Sequence, residues 1–204
     1  MALYPIFLKL EGRKVLIVGG GAIAEEKLEA VLRSANDVTV VSPRISPRIQ
    51  AWADQGLLRH QRGEYPPGMA HHFYLVIAAT EVEAVNRAVY ADTQEAGVLG
   101  NAVDDPAYCD FYAPAVVSRG EFQIAISTGG HSPALARQVR KTLERQYGPE
   151  FGPWTEWLGR MRTTFRSVLP PGERRKQLLH LIALCKPGFA QPKTEFKNEP
   201  NLVR

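Results

Sequence analysis

Cysteine is nearly absent from this chain. Cys109 and Cys185 are the only two in 204 residues, they lie far apart, and neither has a partner at C-x-x-C spacing. That excludes a disulfide scaffold and a thiolate metal site, and a reduced, cytoplasmic protein is the simplest expectation. Histidine adds no metal set, because His71 and His72 are chain neighbours whose side chains diverge on any regular element. Long hydrophobic runs are also missing. No stretch approaches the roughly 18 apolar residues of a membrane span, and the N-terminal stretch carries Lys9, Glu11, Arg13 and Lys14 in place of a targeting pattern. Nor does one sign of charge dominate. The 25 basic and 21 acidic residues leave a formal charge of +4, too little for a nucleic-acid surface. Local basic clusters (Arg137, Arg140, Lys141 and Arg145, and the run Arg174-Arg175-Lys176) suit a small polyanion instead. What remains is an ordinary globular composition, 45% hydrophobic and 23% charged, long enough for one large domain or two small ones.

The most informative feature that is present is Gly19-Gly20-Gly21-Ala22-Ile23-Ala24, which follows the apolar run Val15-Leu16-Ile17-Val18 and leads into a helix-forming stretch. Strand, glycine turn and helix in that order form a dinucleotide fingerprint, G-x-G-x-x-A. Gly19 permits the tight turn, Gly21 lets the backbone approach a pyrophosphate at the helix N-terminus, and Ala24 allows close helix-to-strand packing. Gly20, Ala22 and Ile23 complete the candidate cofactor-binding turn. About 20 residues further on, where an Asp or Glu would bind the adenosine ribose, the second strand ends in Val41-Ser42-Pro43-Arg44 without an acid. Ser42 can bond a ribose, Pro43 lies beside it, and Arg44 can meet a 2′-phosphate. On the residues alone, NAD and NADP both stay open.

The periodicity specifies an α/β fold: a Rossmann-type doubly wound parallel sheet, then a small β-hairpin, then a C-terminal helical segment. Strands are expected over 14–18, 38–41, 57–61, 73–79 and 98–103, with helices over 22–34, 47–55 and 84–96. After Pro106 the pattern changes. Phe111 to Ser118 and Glu121 to Ser127 are β-rich runs separated by Arg119-Gly120, the signal of an antiparallel hairpin. Ser132 as N-cap and Pro133 at the first helical position open a helix reaching about Tyr147. Two more helices are expected over 153–168 and 171–185, and the polar composition from Pro187 onward predicts a mobile tail. The expected domains are therefore 1–105 for the nucleotide, 106–148 as a central segment, 149–186 as helices and 187–204 as the tail.

Open α/β sheets bind ligands at the carboxyl ends of their strands, which selects Ala78-Ala79-Thr80 and Asn101-Ala102-Val103-Asp104-Asp105. Ala79, Thr80, Asn101 and Val103 are candidate cofactor contacts. Of two adjacent carboxylates, one ionised raises the other's affinity for a proton, so Asp104 and Asp105 can do acid–base work; the alternative is that one caps the turn before Pro106. Ser127-Thr128-Gly129-Gly130-His131-Ser132-Pro133 is a second strand-to-helix turn, with hydroxyls and free amides that can hold a carboxylate. His131 either assists proton transfer or is a polar turn residue.

Nearly the whole chain resembles the precorrin-2 dehydrogenases, a family that includes the N-terminal module of the multifunctional siroheme synthases. The resemblance rests on Pro5-Ile6-Phe7, Val18-Gly19-Gly20-Gly21 with Ala24 and Lys27, Ala78-Ala79-Thr80 with Val85-Asn86, Asn101-Ala102-Val103-Asp104, and Ile126 to Gly130 with Ser132 to Arg137. It implies NAD-dependent oxidation of precorrin-2 to sirohydrochlorin on the route to siroheme, with ferrous iron inserted by some relatives, in a homodimer built through the central segment. It also implies that Asp104 is the active-site aspartate, with Ser127 and His131 as further catalytic candidates. Thr128, Gly129 and Gly130 would face the anionic tetrapyrrole, with Arg119 and Arg137 supplying positive charge. An NAD-sensing regulatory domain would share the glycine fingerprint, but such domains normally carry an acid after the second strand and have no use for 101–104 together with 127–133. A chelatase without redox activity is a third reading.

Overall fold

The computed structural model describes residues 3–184; Cys185 and the expected tail over 187–204 lie outside the described residues. Five strands, β1 (Lys14–Val18), β2 (Asp37–Ser42), β3 (Arg59–Arg62), β4 (Leu75–Ala78) and β5 (Leu99–Ala102), form one parallel sheet in the order β3-β2-β1-β4-β5. The central strand explains the apolar run that opens the fold. Val15 and Ile17 pack with Ala24, Leu28 and Ile49 on one face, while Leu16 and Val18 pack with Ala70, Val76 and Val89 on the other. A parallel strand covered on both faces has no polar side to show, so its sequence does not alternate.

The connecting helices are α1 (Ala22–Val31), α2 (Pro47–Asp54) and α3 (Glu83–Ala96). Ser46 Oγ accepts from Ile49 N at 3.2 Å, and Pro47 takes the first helical position, so α2 begins where capping chemistry dictates. Gly97, left-handed at φ 67°, ends α3 and lets the chain turn into β5.

Contacts divide the described residues into two compact units: those up to Ala113 with Gly129–Ser132, and Pro114–Thr128 with the helices that begin at Pro133. The sheet unit runs past the expected boundary at Asp105 because the next residues are tied to it. The Asp110 carboxylate accepts from Tyr90 Oη at 2.9 Å and from Gly100 N at 2.8 Å, and the Phe111 carbonyl accepts from Asn101 Nδ2 at 2.7 Å. For the same reason the first hairpin strand starts at Ala115 and not at Phe111, just past Pro114, which has no N–H to pair.

In the second unit β6 (Ala115–Arg119) and β7 (Phe122–Ile126) pair antiparallel, with Arg119 opposite Phe122. The two-residue loop is Gly120-Glu121, and Gly120 at φ 62° supplies the left-handed first position that a type II′ turn needs. The helices that follow are α4 (Pro133–Gln146), α5 (Phe151–Val168) and α6 (Glu173–Leu184). α5 starts before the expected Pro153, since a proline is tolerated in a first turn. The rings of Phe122, Tyr147 and Phe151 cluster with centroids 5.0–5.4 Å apart. Arg119 ties this unit together. Its guanidinium donates to the Tyr147 carbonyl at 3.0 Å and the Glu144 carbonyl at 3.2 Å, closing the carboxyl end of α4.

On the α3 side of the sheet, one carboxylate organises the crossover from β3 to β4. Asp92 accepts from the Tyr65 hydroxyl, from Gly68 N at 3.0 Å and from Ala70 N at 3.2 Å. Burial first, and then the bond to Asp92, push the Tyr65 phenol above its ordinary value. A folded-state value above the unfolded one gives stability that is complete below about pH 10, where a free phenol titrates, and is lost as pH rises beyond it. Asp92→Ala should therefore cost about 1–3 kcal/mol in urea unfolding by stranding these donors. It should also move the Tyr65 titration, followed by phenolate absorbance, only partway back, because burial persists. A wild-type titration curve in the variant would show that Asp92 does not act on Tyr65.

Candidate functional site

The carboxyl ends of β1, β2 and β4 and the segment after β3 open into a cleft of about 1070 Å³. Gly19 lies at φ 124°, and a Cβ there would sit 2.8 Å from the carbonyl carbon of Ala79, at the end of β4. A Cβ on Gly20 would sit 2.8 Å from Ser42 Oγ and collide with the Arg44 carbonyl. Backbone bonds hold the same junction, from Gly19 N to Val41 O and from Ser46 N to Gly20 O, both at 2.9 Å. Gly21 differs: a Cβ there would meet nothing within 4 Å, and the residue lines the cleft. Gly21 is also the N-cap of α1 and makes no side-chain capping bond. Free N-terminal amides at the positive end of a helix, with no Cβ in front of them, fit a pyrophosphate.

The rest of the cleft is built around that turn. Ser42 is buried and its hydroxyl donates to the Arg44 carbonyl at 2.7 Å, so toward a ligand it can only accept. Ala79 and Thr80 form the β4 rim. Buried Asn86 clamps this rim from α3: its Oδ1 accepts from Thr80 N at 3.1 Å and Thr80 Oγ1 at 2.7 Å, and its Nδ2 donates to the Thr80 carbonyl at 3.0 Å. Tyr65, Val85 and Ala88 add apolar surface suited to a flat heterocycle.

After β5 the chain makes a tight turn, closed by Asp105 N donating to Ala102 O at 3.2 Å. Asp104 takes its third position at φ 64° and is the only non-glycine residue in the left-handed region among those described. Such a conformation costs on the order of 1 kcal/mol, so the surroundings must impose it. Arg87 Nε holds the Asp105 carboxylate at 3.0 Å from α3. Cys109 Sγ donates to Ala102 O at 3.2 Å and to Asp105 O at 3.3 Å. Burial pushes the Cys109 thiol up, which keeps it a donor. The Asp104 side chain itself is exposed.

The structure brings together Gly19 to Ile23, Ser42, Pro43, Ala79 and Thr80 around one cleft, with Arg44 beside them. Ala24 is fully buried in the core, as its packing role requires, and is not a lining residue. Asn101 and Val103 do not line the cleft either. Asn101 Nδ2 donates to the Phe111 carbonyl at 2.7 Å, and Val103 packs against the sheet core, so both help to hold the Asp104 turn. Arg119, expected at an anionic substrate, uses Nε and Nη2 to close the end of α4. Arg137 and His131 are exposed, on α4 and in the turn before it. Ser127, Thr128, Gly129 and Gly130 occupy the same turn after β7, with both glycines left-handed at φ 61° and 85°. Sequence reasoning missed Glu64, Tyr65 and Asp92 at the cleft, since nothing local distinguishes them from loop and helix-surface residues. Among the described residues, no group of three or more His, Cys, Asp or Glu could hold a metal ion, and no helix is long and apolar enough to cross a membrane.

Comparison with known proteins agrees with this geometry. Residues 6–115 match the family model described as "Putative NAD(P)-binding", and residues 119–146 match that of the sirohaem biosynthesis protein central region. The first match takes in more than half of the chain, which belongs to that NAD(P)-binding family. Siroheme synthase 1 of Aeromonas salmonicida is 35% identical over 187 residues, covering 91% of this chain and 40% of the relative. The siroheme synthase of Nitrosococcus oceani is 36% identical over 166 residues, covering 81% and 36%. The chain thus spans about two fifths of the length of these relatives. A solved structure named SirC, precorrin-2 dehydrogenase, superposes with a TM-score of 0.73 at 29% identity, covering 88% of this chain and 89% of that one. The parallel sheet, hairpin and C-terminal helices are the fold of that protein.

The three glycines should respond differently to substitution. Gly19→Ala should destabilise the fold by several kcal/mol or prevent folding, because backbone atoms of Ala79 cannot yield. Gly21→Val should melt near the parent temperature yet lose NAD+ binding by calorimetry, since its side chain fills the space before the α1 amides. Parent-like NAD+ affinity in Gly21→Val would remove the cofactor from this turn.

Proposed function

We propose that the protein oxidises precorrin-2 to sirohydrochlorin, with NAD+ held in the glycine cleft and Asp104 as the group that handles the proton. The observation that carries the reading is the conformation of Asp104: a carboxylate kept in a strained, left-handed turn at the carboxyl edge of the parallel sheet, on a loop pinned by Arg87, Asn101 and Cys109. Strain retained at such a place is the mark of a functional position. The matches to both segments in sequence order support the same reading, as does the likeness to a dehydrogenase over 88% of the chain.

The oxidation removes two electrons and two protons' worth of hydrogen from the macrocycle. NAD+ accepts the hydride; the remaining proton needs a base. Asp104 is exposed, so it can reach a substrate and release the proton to water. Asp105 is held by Arg87 Nε at 3.0 Å instead. Ser127, Thr128, Gly129, Gly130 and His131 supply hydroxyls, amides and an imidazole on the second strand-to-helix turn, and we assign them with Arg137 to the acidic substituents of the tetrapyrrole. We place this chemistry in the cytoplasm, and we carry ferrous iron as a candidate co-substrate to be tested with the product.

We also propose a homodimer through the hairpin and α4. Leu135 and Val139 stand one turn apart on α4 and are exposed, as is Val116 on β6. Exposed apolar side chains on a hairpin and its helix fit a two-fold interface.

Asp104→Asn should retain the turn and NAD+ affinity while slowing precorrin-2 oxidation by about two to four powers of ten. Asp104→Gly should be equally slow, yet stay within about 1 kcal/mol of the parent, since relief of the left-handed cost offsets the added freedom of the unfolded chain. NADH absorbance follows both, and normal turnover with an earlier melt would reduce Asp104 to a turn residue. For the assembly, sedimentation at micromolar concentration should give a dimer, and Leu135→Glu with Val139→Glu should give monomers. A fully active parent monomer would refute the interface.

A further inference from the structure

We infer that Glu64, delivered by β3 and not by β2, selects NAD+ over NADP+ in this protein, with Arg44 acting against it. The inference rests on the nucleotide reading of the glycine cleft. A dinucleotide fold usually takes the adenosine ribose with an acid at the end of its second strand. Here β2 ends at Ser42, followed by Pro43 and Arg44, and the Ser42 hydroxyl already donates to the Arg44 carbonyl at 2.7 Å. The end of β2 therefore offers no anionic acceptor.

The neighbouring strand fills that place. The register sets Ser42 opposite Arg62, Gly63 N donates to the Ser42 carbonyl at 3.2 Å, and His60 Nε2 lies 2.9 Å from the same oxygen. The ends of β2 and β3 are thus tied together. Gly63 then turns the chain at φ 149°, and Glu64 and Tyr65 follow it into the lining of the cleft that also holds Ser42 and Arg44. Glu64 and Arg44 are exposed, and neither side chain has an ion pair or side-chain hydrogen bond among the described residues. An unengaged carboxylate can accept from the vicinal ribose hydroxyls of NAD+ and repels the phosphate of NADP+; an unengaged guanidinium does the opposite. The acid that the sequence lacks after β2 is thereby replaced from the adjacent strand, and the arginine makes the discrimination incomplete.

Calorimetric titration of the full chain with each nucleotide tests this without reference to turnover. The parent should bind NAD+ more tightly than NADP+. Glu64→Gln should weaken NAD+ by about tenfold, the worth of one hydrogen bond to a charged group, and tighten NADP+. Arg44→Gln should weaken NADP+ by about tenfold and leave NAD+ within about twofold. Both side chains are exposed and unengaged, so melting temperatures should stay at the parent value and confirm that both variants fold. An unchanged ratio of the two affinities in Glu64→Gln, with NAD+ still bound, overturns the role of Glu64 and leaves the cleft assignment standing. Failure of the parent to bind either nucleotide overturns the cleft assignment and this inference with it.

Discussion

The junction at the end of β1 is possible only because two side chains are missing. Gly19 lies against the backbone of Ala79 and Gly20 against that of Arg44, so the first turn touches the end of β4 on one side and the loop after β2 on the other. A Cβ at either place would push apart strands that the parallel register holds together, from Val18 to Ala78 and from Val18 to Val41. Everything placed around the cleft follows from this contact. The amides of α1 aim into the space between those two loops, Ser46 can start α2 while bonding Gly20, and Thr80 is brought to the rim where Asn86 clamps it. The third glycine has no such neighbour; the space before it is open where the other two are closed by backbone. One Gly-Gly-Gly run thus contains two different physical demands.

A second constraint acts at the far side of the sheet. The chain leaves β5 and must pass under α3 before the hairpin, and it does so by exchanging backbone pairing for side-chain bonds. Asp110 takes donors from Tyr90, Gln94 and Gly100, Asn101 takes Phe111, and the Cys109 thiol bridges two carbonyls. Several hydrogen bonds of about 1 kcal/mol each exceed the cost of one left-handed aspartate. Asp104 can therefore be held in a conformation it would not choose alone. Asn101, a candidate site residue in the sequence, is part of the frame of this turn.

What the sequence discloses follows from how locally it is encoded. The β1-glycine-α1 unit, the order of alternating strands and helices, and the Pro133 helix start are written in consecutive residues, and each was legible. The hairpin was legible as a pair of strands but not in its first residue, because Phe111 is drawn into the core by contacts made across the fold. Arg119 looked like one more cation for an anionic ligand; only the helix end that it closes, built from Glu144 and Tyr147, shows its use. Glu64 and Asp92 lie 28 residues apart in sequence and meet the same cleft from different elements. No spacing rule in one dimension brings a loop after β3 and the middle of α3 together.

These two constraints also decide which groups are left to act. No buried side-chain nitrogen or oxygen among the described residues lacks a hydrogen-bond partner. Around the cleft, Asn86 is engaged with Thr80, Asp92 with Tyr65 and two amides, and Ser42 with its own loop. Every one of these polar groups is fixed before a ligand arrives, so binding need not rearrange them, and the entropy of ordering was met when the chain folded. The groups not engaged in this way stand at edges, among them the amides at the start of α1, Glu64 and Arg44 at the strand ends, Glu81 beyond β4, and Asp104 on its held turn. Along the edge of the sheet they stand in the order Glu64 and Arg44 beyond β3 and β2, the α1 amides beyond β1, Glu81 beyond β4, and Asp104 beyond β5. The scaffold satisfies its buried polar neighbours and leaves these groups exposed.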